Sequence, residues 1–171
     1  MQPTSTVIKG VVIALIMIIS SIAIYFSGVD LNSPVKWLSY CILVAGIIIS
    51  VLQYGKQIDY NATFGNYFAH GFKVAAAITV LMVIYMIVFI YIFPDFKEKA
   101  LEEARKAMDA KNNISEEQKT TALEMTKKLF TVFVVGGTLL STIIIGVIGA
   151  LIGAAVAKKN PRPLDENQIG V

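Results

Sequence analysis

The 171-residue sequence has few of the side chains that enzymes and metalloproteins use for chemistry. It contains one histidine, His70, and one cysteine, Cys41. A single cysteine cannot form an intrachain disulfide, and no cysteine–histidine group has the spacing of a metal site. Cys41 lies within an apolar stretch, so we interpret it as a small buried side chain. We expect no metal, no cofactor and no catalytic residue.

Charged residues are also scarce. They make up 16% of the chain, compared with about 25% in soluble domains, whereas hydrophobic residues make up 56%. The net charge of +3 is too small to indicate a nucleic-acid partner. The apolar residues come in blocks, which is typical of helices surrounded by membrane lipid.

Four blocks are long enough to cross a membrane, whose hydrocarbon core requires about 20 apolar residues. They cover residues 7–27, 37–54, 74–93 and 129–157. A signal peptide is the alternative for the first block. Its apolar core of 16 residues exceeds the usual length of about 7–15, and no convincing cleavage site follows, so we predict an uncleaved span. The connection 27–36 is short, so the first two spans should be antiparallel neighbours.

The last block, residues 129–157, has no charged side chain and is rich in small residues. Small residues recur in two rows at four-residue spacing, which lets two membrane helices approach closely. We predict that this face packs against the first or third span of the same chain, or less favourably against a second copy. The predicted packing face comprises Thr142, Gly146, Gly149, Ala150, Gly153, Ala154 and Ala157.

Residues 55–73 have an amphipathic pattern that predicts a short interfacial helix before the third span. Its aromatic stripe should face lipid or the helix bundle and comprises Phe64, Tyr67, Phe68 and Phe72. Asn66 and His70 should face water or lipid headgroups. His70 and Lys73 are therefore candidates for contact with a lipid phosphate, with ordinary interfacial anchoring as the alternative.

The stretch 95–128 is charged and mostly helix-forming. Eight basic and eight acidic residues lie between Pro94 and Lys128. Ser115 and Gln118 form a capping-box pattern that restarts a helix after the pair Asn112-Asn113. We predict an extramembrane helical hairpin whose second arm continues into the last span. The tail 158–171 is predicted to be extended and mobile.

These features predict an all-α polytopic membrane protein with four transmembrane helices and both termini on one side. That side carries six basic and three acidic residues, whereas the other carries nine of each. Counting basic residues alone favours the opposite orientation. However, Lys158, Lys159 and Arg162 lie unmatched beside the last span, so we predict cytoplasmic termini.

Several segments together resemble one known family. They are residues 63–73 (TFGNYFAHGFK), Pro94-Asp95-Phe96 after a span, residues 114–118 (ISEEQ) in the charged stretch, and the glycine-rich last span. This order is similar to that of the domain of unknown function 4199 family, over roughly residues 5–157. The resemblance implies a small four-span protein in the inner membrane of Bacteroidota. It implies no activity.

No charged residue or histidine falls in the interior of the spans, and only Lys9 comes close, near one end. Because ion-coupled carriers usually need such residues, their scarcity disfavours that class. We predict a non-catalytic protein that acts through helix packing as a scaffold, assembly factor or accessory subunit, with a protein partner or a second copy bound through the last span.

Two alternatives remain. A small transporter or channel would arise by oligomerisation around Ser141, Thr142 and Gly146. A lipid-acting enzyme, the more remote alternative, would need several polar residues around one cavity, namely Asp59, His70, Lys73 and Asp95.

Overall fold

A computed structural model describes residues 5–29, 33–110 and 115–160. In this part of the chain all regular structure is helical, which confirms the all-α prediction. The helices are α1 (Thr6–Phe26), α2 (Trp37–Gln57), α3 (Phe64–Ile92), α4 (Asp95–Asp109), α5 (Glu116–Lys128) and α6 (Phe130–Val156). A short 3-10 turn, Pro34–Lys36, precedes α2. Of the predicted mobile tail, residues 161–171 lie outside the described residues.

Four helices, α1, α2, α3 and α6, are long and apolar enough to cross a membrane. The 21 residues of α1 and of α2 give about 32 Å each, which matches a hydrocarbon core of about 30 Å. The 29 residues of α3 give about 44 Å, so α3 must tilt or extend beyond the core. The protein is therefore a multi-pass membrane protein.

Of residues 55–73, predicted to contain an interfacial helix before the third span, residues 55–57 end α2 and residues 64–73 form the first part of α3. No proline occurs between residues 64 and 92, so nothing in the sequence interrupts the helix there. The chain turns before α3 at Asp59 and Tyr60, whose φ angles are 50° and 61°. The amide of Asn160 donates to the carbonyl of Tyr60 at 2.9 Å, which fixes this turn to the chain that follows α6.

The four spans pack most closely at the end where α1 and α3 begin and α2 and α6 end. A Cβ atom built on Gly10 would lie 2.9 Å from the Cβ of Ala77, and one built on Gly71 would lie 2.8 Å from the Cβ of Ala150. Such distances require two backbones to meet without intervening side chains. In lipid, close van der Waals packing of this kind is a main source of helix association. We call this region the close-packed end.

All seven residues of the predicted packing face, six in α6 and Ala157 directly after it, are buried. The two rows of small residues on this face contact different helices. Gly146 lies against Ala75 of α3, whereas Gly149 and Gly153 lie against α2, at Val44 and Val51. One row therefore packs on α3 and the other on α2. We expected the first or third span as the partner. The third span does contact this face, whereas α1 packs on α2 and α3 instead.

The helices α4 and α5 follow the third span and contact each other outside the spans. Lys119 of α5 bridges to Asp109 of α4 at 3.1 Å. The predicted capping box is present: the amide of Gln118 donates to the hydroxyl of Ser115, and the Gln118 side chain accepts from the Ser115 amide. The predicted continuity into the last span is broken at one residue, because Leu129 leaves helical geometry between α5 and α6.

The outward surface of the spans is apolar, as lipid contact requires. Large exposed side chains on it include Ile19, Val80, Val132 and Leu140. Cys41 also lies on this surface, which corrects the prediction that it is buried. The reason is its position on the outward side of α2, away from the buried Leu43 and Ile47.

Candidate functional site

A group of polar and aromatic side chains joins three helices at the close-packed end. We call it the Lys9–His70 cluster, and it comprises Thr6, Lys9, Ser50, Tyr54, Gln57 and His70. The ring of His70 is bound on both nitrogens: the Ser50 hydroxyl lies 3.2 Å from Nε2, and the Thr6 hydroxyl lies 3.4 Å from Nδ1. The cluster therefore connects α1, α2 and α3 through hydrogen bonds.

Lys9 supplies the positive charge of the cluster, and it is only 7% exposed. Its Nζ donates to the carbonyl of Ser50 at 3.5 Å and to Oε1 of Gln57 at 3.4 Å. An ionisable side chain inside a span is expensive unless oxygen acceptors surround it. Here α2 provides those acceptors near its C-terminal end, so the charge of Lys9 ties α1 to α2.

The position of His70 differs from the prediction that it faces water or headgroups. It is only 6% exposed, and it lies one helical turn after Tyr67, which is completely buried. Residues three apart in a helix share a face, so the buried Tyr67 places His70 on the inner side. This spacing was the signal in the sequence that would have located His70. Lys73 is exposed, and its predicted headgroup contact stays a prediction.

The predicted aromatic stripe is divided between the bundle and its surroundings. Tyr67 is buried and donates its hydroxyl to the carbonyl of Lys158 at 2.9 Å. Phe68 is partly buried against the core, whereas Phe64 and Phe72 are exposed. One residue of the stripe, Tyr67, therefore binds the chain at the end of α6, and two others, Phe64 and Phe72, lie on the outer surface.

The residues that a lipid-acting enzyme would need are dispersed. Asp59 and His70 lie near the close-packed end, whereas Asp95 begins α4 beyond the opposite end of α3. Because α3 spans about 44 Å at a rise of about 1.5 Å per residue, Asp95 is far from His70. The four residues do not surround one cavity.

A cavity of about 550 Å³ lies at the end of the bundle opposite the Lys9–His70 cluster. We call it the hairpin-end cavity, and its walls come from α1, α3, α4, α6 and the start of α2. Its volume lies within the range of about 300–1,000 Å³ that is usual for small-molecule sites. Its apolar wall includes Met17, Ile24, Met82, Met86 and Phe89. Five serine and threonine side chains also line it, namely Ser21, Ser39, Thr138, Ser141 and Thr142.

Toward this end α6 packs less closely on its neighbours. Gly136 and Gly137 of α6 have no other helix within 4 Å of where a Cβ would be, in contrast to Gly146. Aromatic rings line the outer end: Tyr25 packs on Phe89 with centroids 5.1 Å apart, and further ring contacts reach α4 and α6. Sequence reasoning missed this space, since it depends on how far apart whole helices lie.

Charged residues of α4 form one wall of the cavity. Lys106 lies 3.1 Å from both Glu102 and Glu103, and these hydrogen bonds, that to Glu103 foremost, raise the pKa of Lys106. Lys99 has its Nζ 5.0 Å from the ring centroid of Tyr25. This wall therefore combines two lysines and two glutamates.

Four helices long and apolar enough to span a membrane, a polar cluster between three of them and a pair of charged helices define a small multi-pass helical membrane protein. The family described as "Protein of unknown function (DUF4199)" matches residues 9–159, and the chain belongs to that family. No curated protein and no solved structure matches the chain.

Proposed function

We propose that the protein is a non-catalytic component of a bacterial inner membrane, acting as a scaffold, assembly factor or accessory subunit, with both termini in the cytoplasm. The observation that carries the proposal is the use of His70. Both of its ring nitrogens are bound by hydroxyls, and Tyr54 covers its face. A general acid or base must instead reach a substrate proton. Here the histidine holds helices together.

A partner protein would bind away from the packing face of α6, because the chain's own α2 and α3 occupy that face. The pair α4 and α5 offers the clearest alternative, since none of its residues is buried. Met125 of α5 is 57% exposed although it is apolar. We propose that this pair is the region through which the protein contacts its partner.

A photo-crosslinking amino acid at Met125 tests this proposal in native membranes. We expect an adduct with one defined protein. The matched control is the same amino acid at Leu43, which is fully buried in the bundle and should give no such adduct. Adducts with lipid alone at Met125 would contradict the proposal.

The hairpin-end cavity favours a second candidate, a small carrier. A transporter or channel formed by oligomerisation has little support, because Thr142 and Gly146 are buried within one chain. Ser141 lines that chain's own cavity. A carrier would therefore use the internal cavity and would have to open the close-packed end. Thr138→Cys in a Cys41→Ser background distinguishes the two functions. Labelling by an impermeant thiol reagent from one side only supports the non-transporting role, and labelling from both sides favours the carrier.

A further inference from the structure

We propose that the hairpin-end cavity binds one phospholipid molecule, with an acyl chain in its interior and a zwitterionic headgroup at the wall formed by α4. This inference does not depend on the proposed function, since accessory subunits and carriers alike can hold a lipid. It assigns a ligand class to a cavity whose lining changes from apolar to charged along its length.

The position of the cavity suits a bilayer lipid. Tyr25 and Gly28 at the end of α1 and Phe96 at the start of α4 line the same space as Met17 and Met82, which lie within spans. The cavity therefore extends from the hydrocarbon region to the level at which the chain leaves the membrane. A phospholipid has its apolar and polar parts in this same order.

The interior is suited to an acyl chain, because its wall is rich in methionine and two of its hydroxyls are turned to their own helix. Thr138 donates to the carbonyl of Val134 at 2.8 Å, and Ser141 donates to the carbonyl of Thr138 at 3.3 Å. Both of these hydroxyls donate to carbonyls of their own helix, and the interior between them is lined by Met17, Met82 and Met86, which offer adaptable apolar contacts to an acyl chain.

The α4 wall matches a headgroup that carries both signs of charge. Lys99, held beside Tyr25, places an ammonium group where a phosphate would lie. Glu102 and Glu103 hold the ammonium of Lys106, and the side chain of Glu102 stays 67% exposed, so this wall still offers carboxylate oxygen to the ammonium of a headgroup. Two lysines and two glutamates balance each other, so a phosphate–ammonium headgroup fits better than a carboxylate alone.

The test uses the intact chain, reconstituted in vesicles of phosphatidylethanolamine and palmitate, extracted in mild detergent and analysed by native mass spectrometry. We expect about one retained phosphatidylethanolamine per chain. Met86→Trp fills the interior and should lower retention about tenfold, equivalent to about 1.4 kcal/mol. The control Val88→Trp lies on the same helix but is 48% exposed outside the bundle, and it should retain the lipid.

Two further variants secure the result. Ser141→Phe fills the same cavity from α6, and Lys99→Gln removes the headgroup contact without changing the interior. Reduced retention in either variant, with an unchanged melting temperature, supports the proposal. Equal retention in the parent and in these variants would show that the bound lipid is only the ordinary annular layer and would overturn it. Retention of palmitate in place of phosphatidylethanolamine would overturn it as well.

Discussion

The imidazole of His70 stacks face to face on the phenol ring of Tyr54, with centroids 4.3 Å apart and planes 7° from parallel. The stack joins α3 to α2, and the hydroxyls of Ser50 and Thr6 bind the ring at its edges. One side chain thereby connects its own span to two others. In a protein whose spans gain little hydrophobic drive from each other within lipid, such contacts contribute to holding the bundle.

Removing the ring of His70 should therefore destabilise the bundle more than removing its nitrogens. His70→Ala loses both the stack, worth about 0.5–1.5 kcal/mol, and hydrogen bonds worth about 0.6 kcal/mol each in membrane proteins. His70→Phe keeps an aromatic ring on Tyr54 and loses only the hydrogen bonds. Thermal unfolding in detergent should rank the parent first, His70→Phe second and His70→Ala last. Equal losses would show that the stack adds nothing.

The start of α5 depends on Ser115, whose hydroxyl accepts from the amide of Gln118 at 3.3 Å. Ser115→Ala should remove this cap at a cost of about 1 kcal/mol to the helix. Because α5 buries no residue against the spans, the loss should stay local. We expect faster amide hydrogen exchange in the first turn of α5 and unchanged exchange in α3. Ser115→Asp, which can still cap, is the control and should restore protection.

Lys119 links α5 to α4 through its contact with Asp109 at 3.1 Å, and it also contacts Glu116 of its own helix at 2.7 Å. The hydrogen bond to Glu116, followed by that to Asp109, raises the pKa of Lys119 above its ordinary value of 10.5. Because the folded-state pKa is raised, the contribution of these ion pairs to the stability of the folded state is fully present at neutral pH. It is lost as the pH rises through that folded-state value. A carbon-13 titration of the Lys119 side chain should give a midpoint above 10.5 in the parent and a lower one in Glu116→Gln.

The sequence predicts the spans well where local composition decides them. The predicted block 129–157 and the helix Phe130–Val156 differ by one residue at each end, and the small-residue rows identify the buried side of α6. The prediction is less accurate where tertiary contacts decide. The burial of His70 requires hydroxyls from α1 and α2, and the hairpin-end cavity requires walls from several helices. The spacing of His70 after Tyr67 indicates which side of α3 it shares, but its hydroxyl partners and the cavity depend on other helices.

The orientation of the chain in the membrane is open to a direct measurement. We expect the α4–α5 pair to lie on the periplasmic side, because Lys158 and Lys159 flank the opposite end of α6. Glu117→Cys in a Cys41→Ser background should be labelled by an impermeant thiol reagent in cells whose outer membrane alone has been permeabilised. Lys56→Cys is the control at the other end and should be labelled only after the inner membrane is opened. The reverse pattern would place both termini outside the cytoplasm.

The glycines of α6 give the sharpest test of the fold, because one helix contains both packed and unpacked examples. A methyl group on Gly146 would lie 2.7 Å from the Cβ of Ala75, closer than two such atoms can approach, whereas Gly137 has no neighbouring helix within 4 Å. Gly146→Ala should therefore force α6 away from α3, at a cost of about 1–3 kcal/mol. Gly137→Ala should be neutral or stabilising by up to about 1 kcal/mol, since alanine favours the helix and meets no obstacle. Equilibrium unfolding in mixed micelles measures both, and the lipid-facing Leu139→Ile serves as a mild reference. If Gly146→Ala were as stable as Gly137→Ala, the close approach of α3 and α6 would not occur in the membrane.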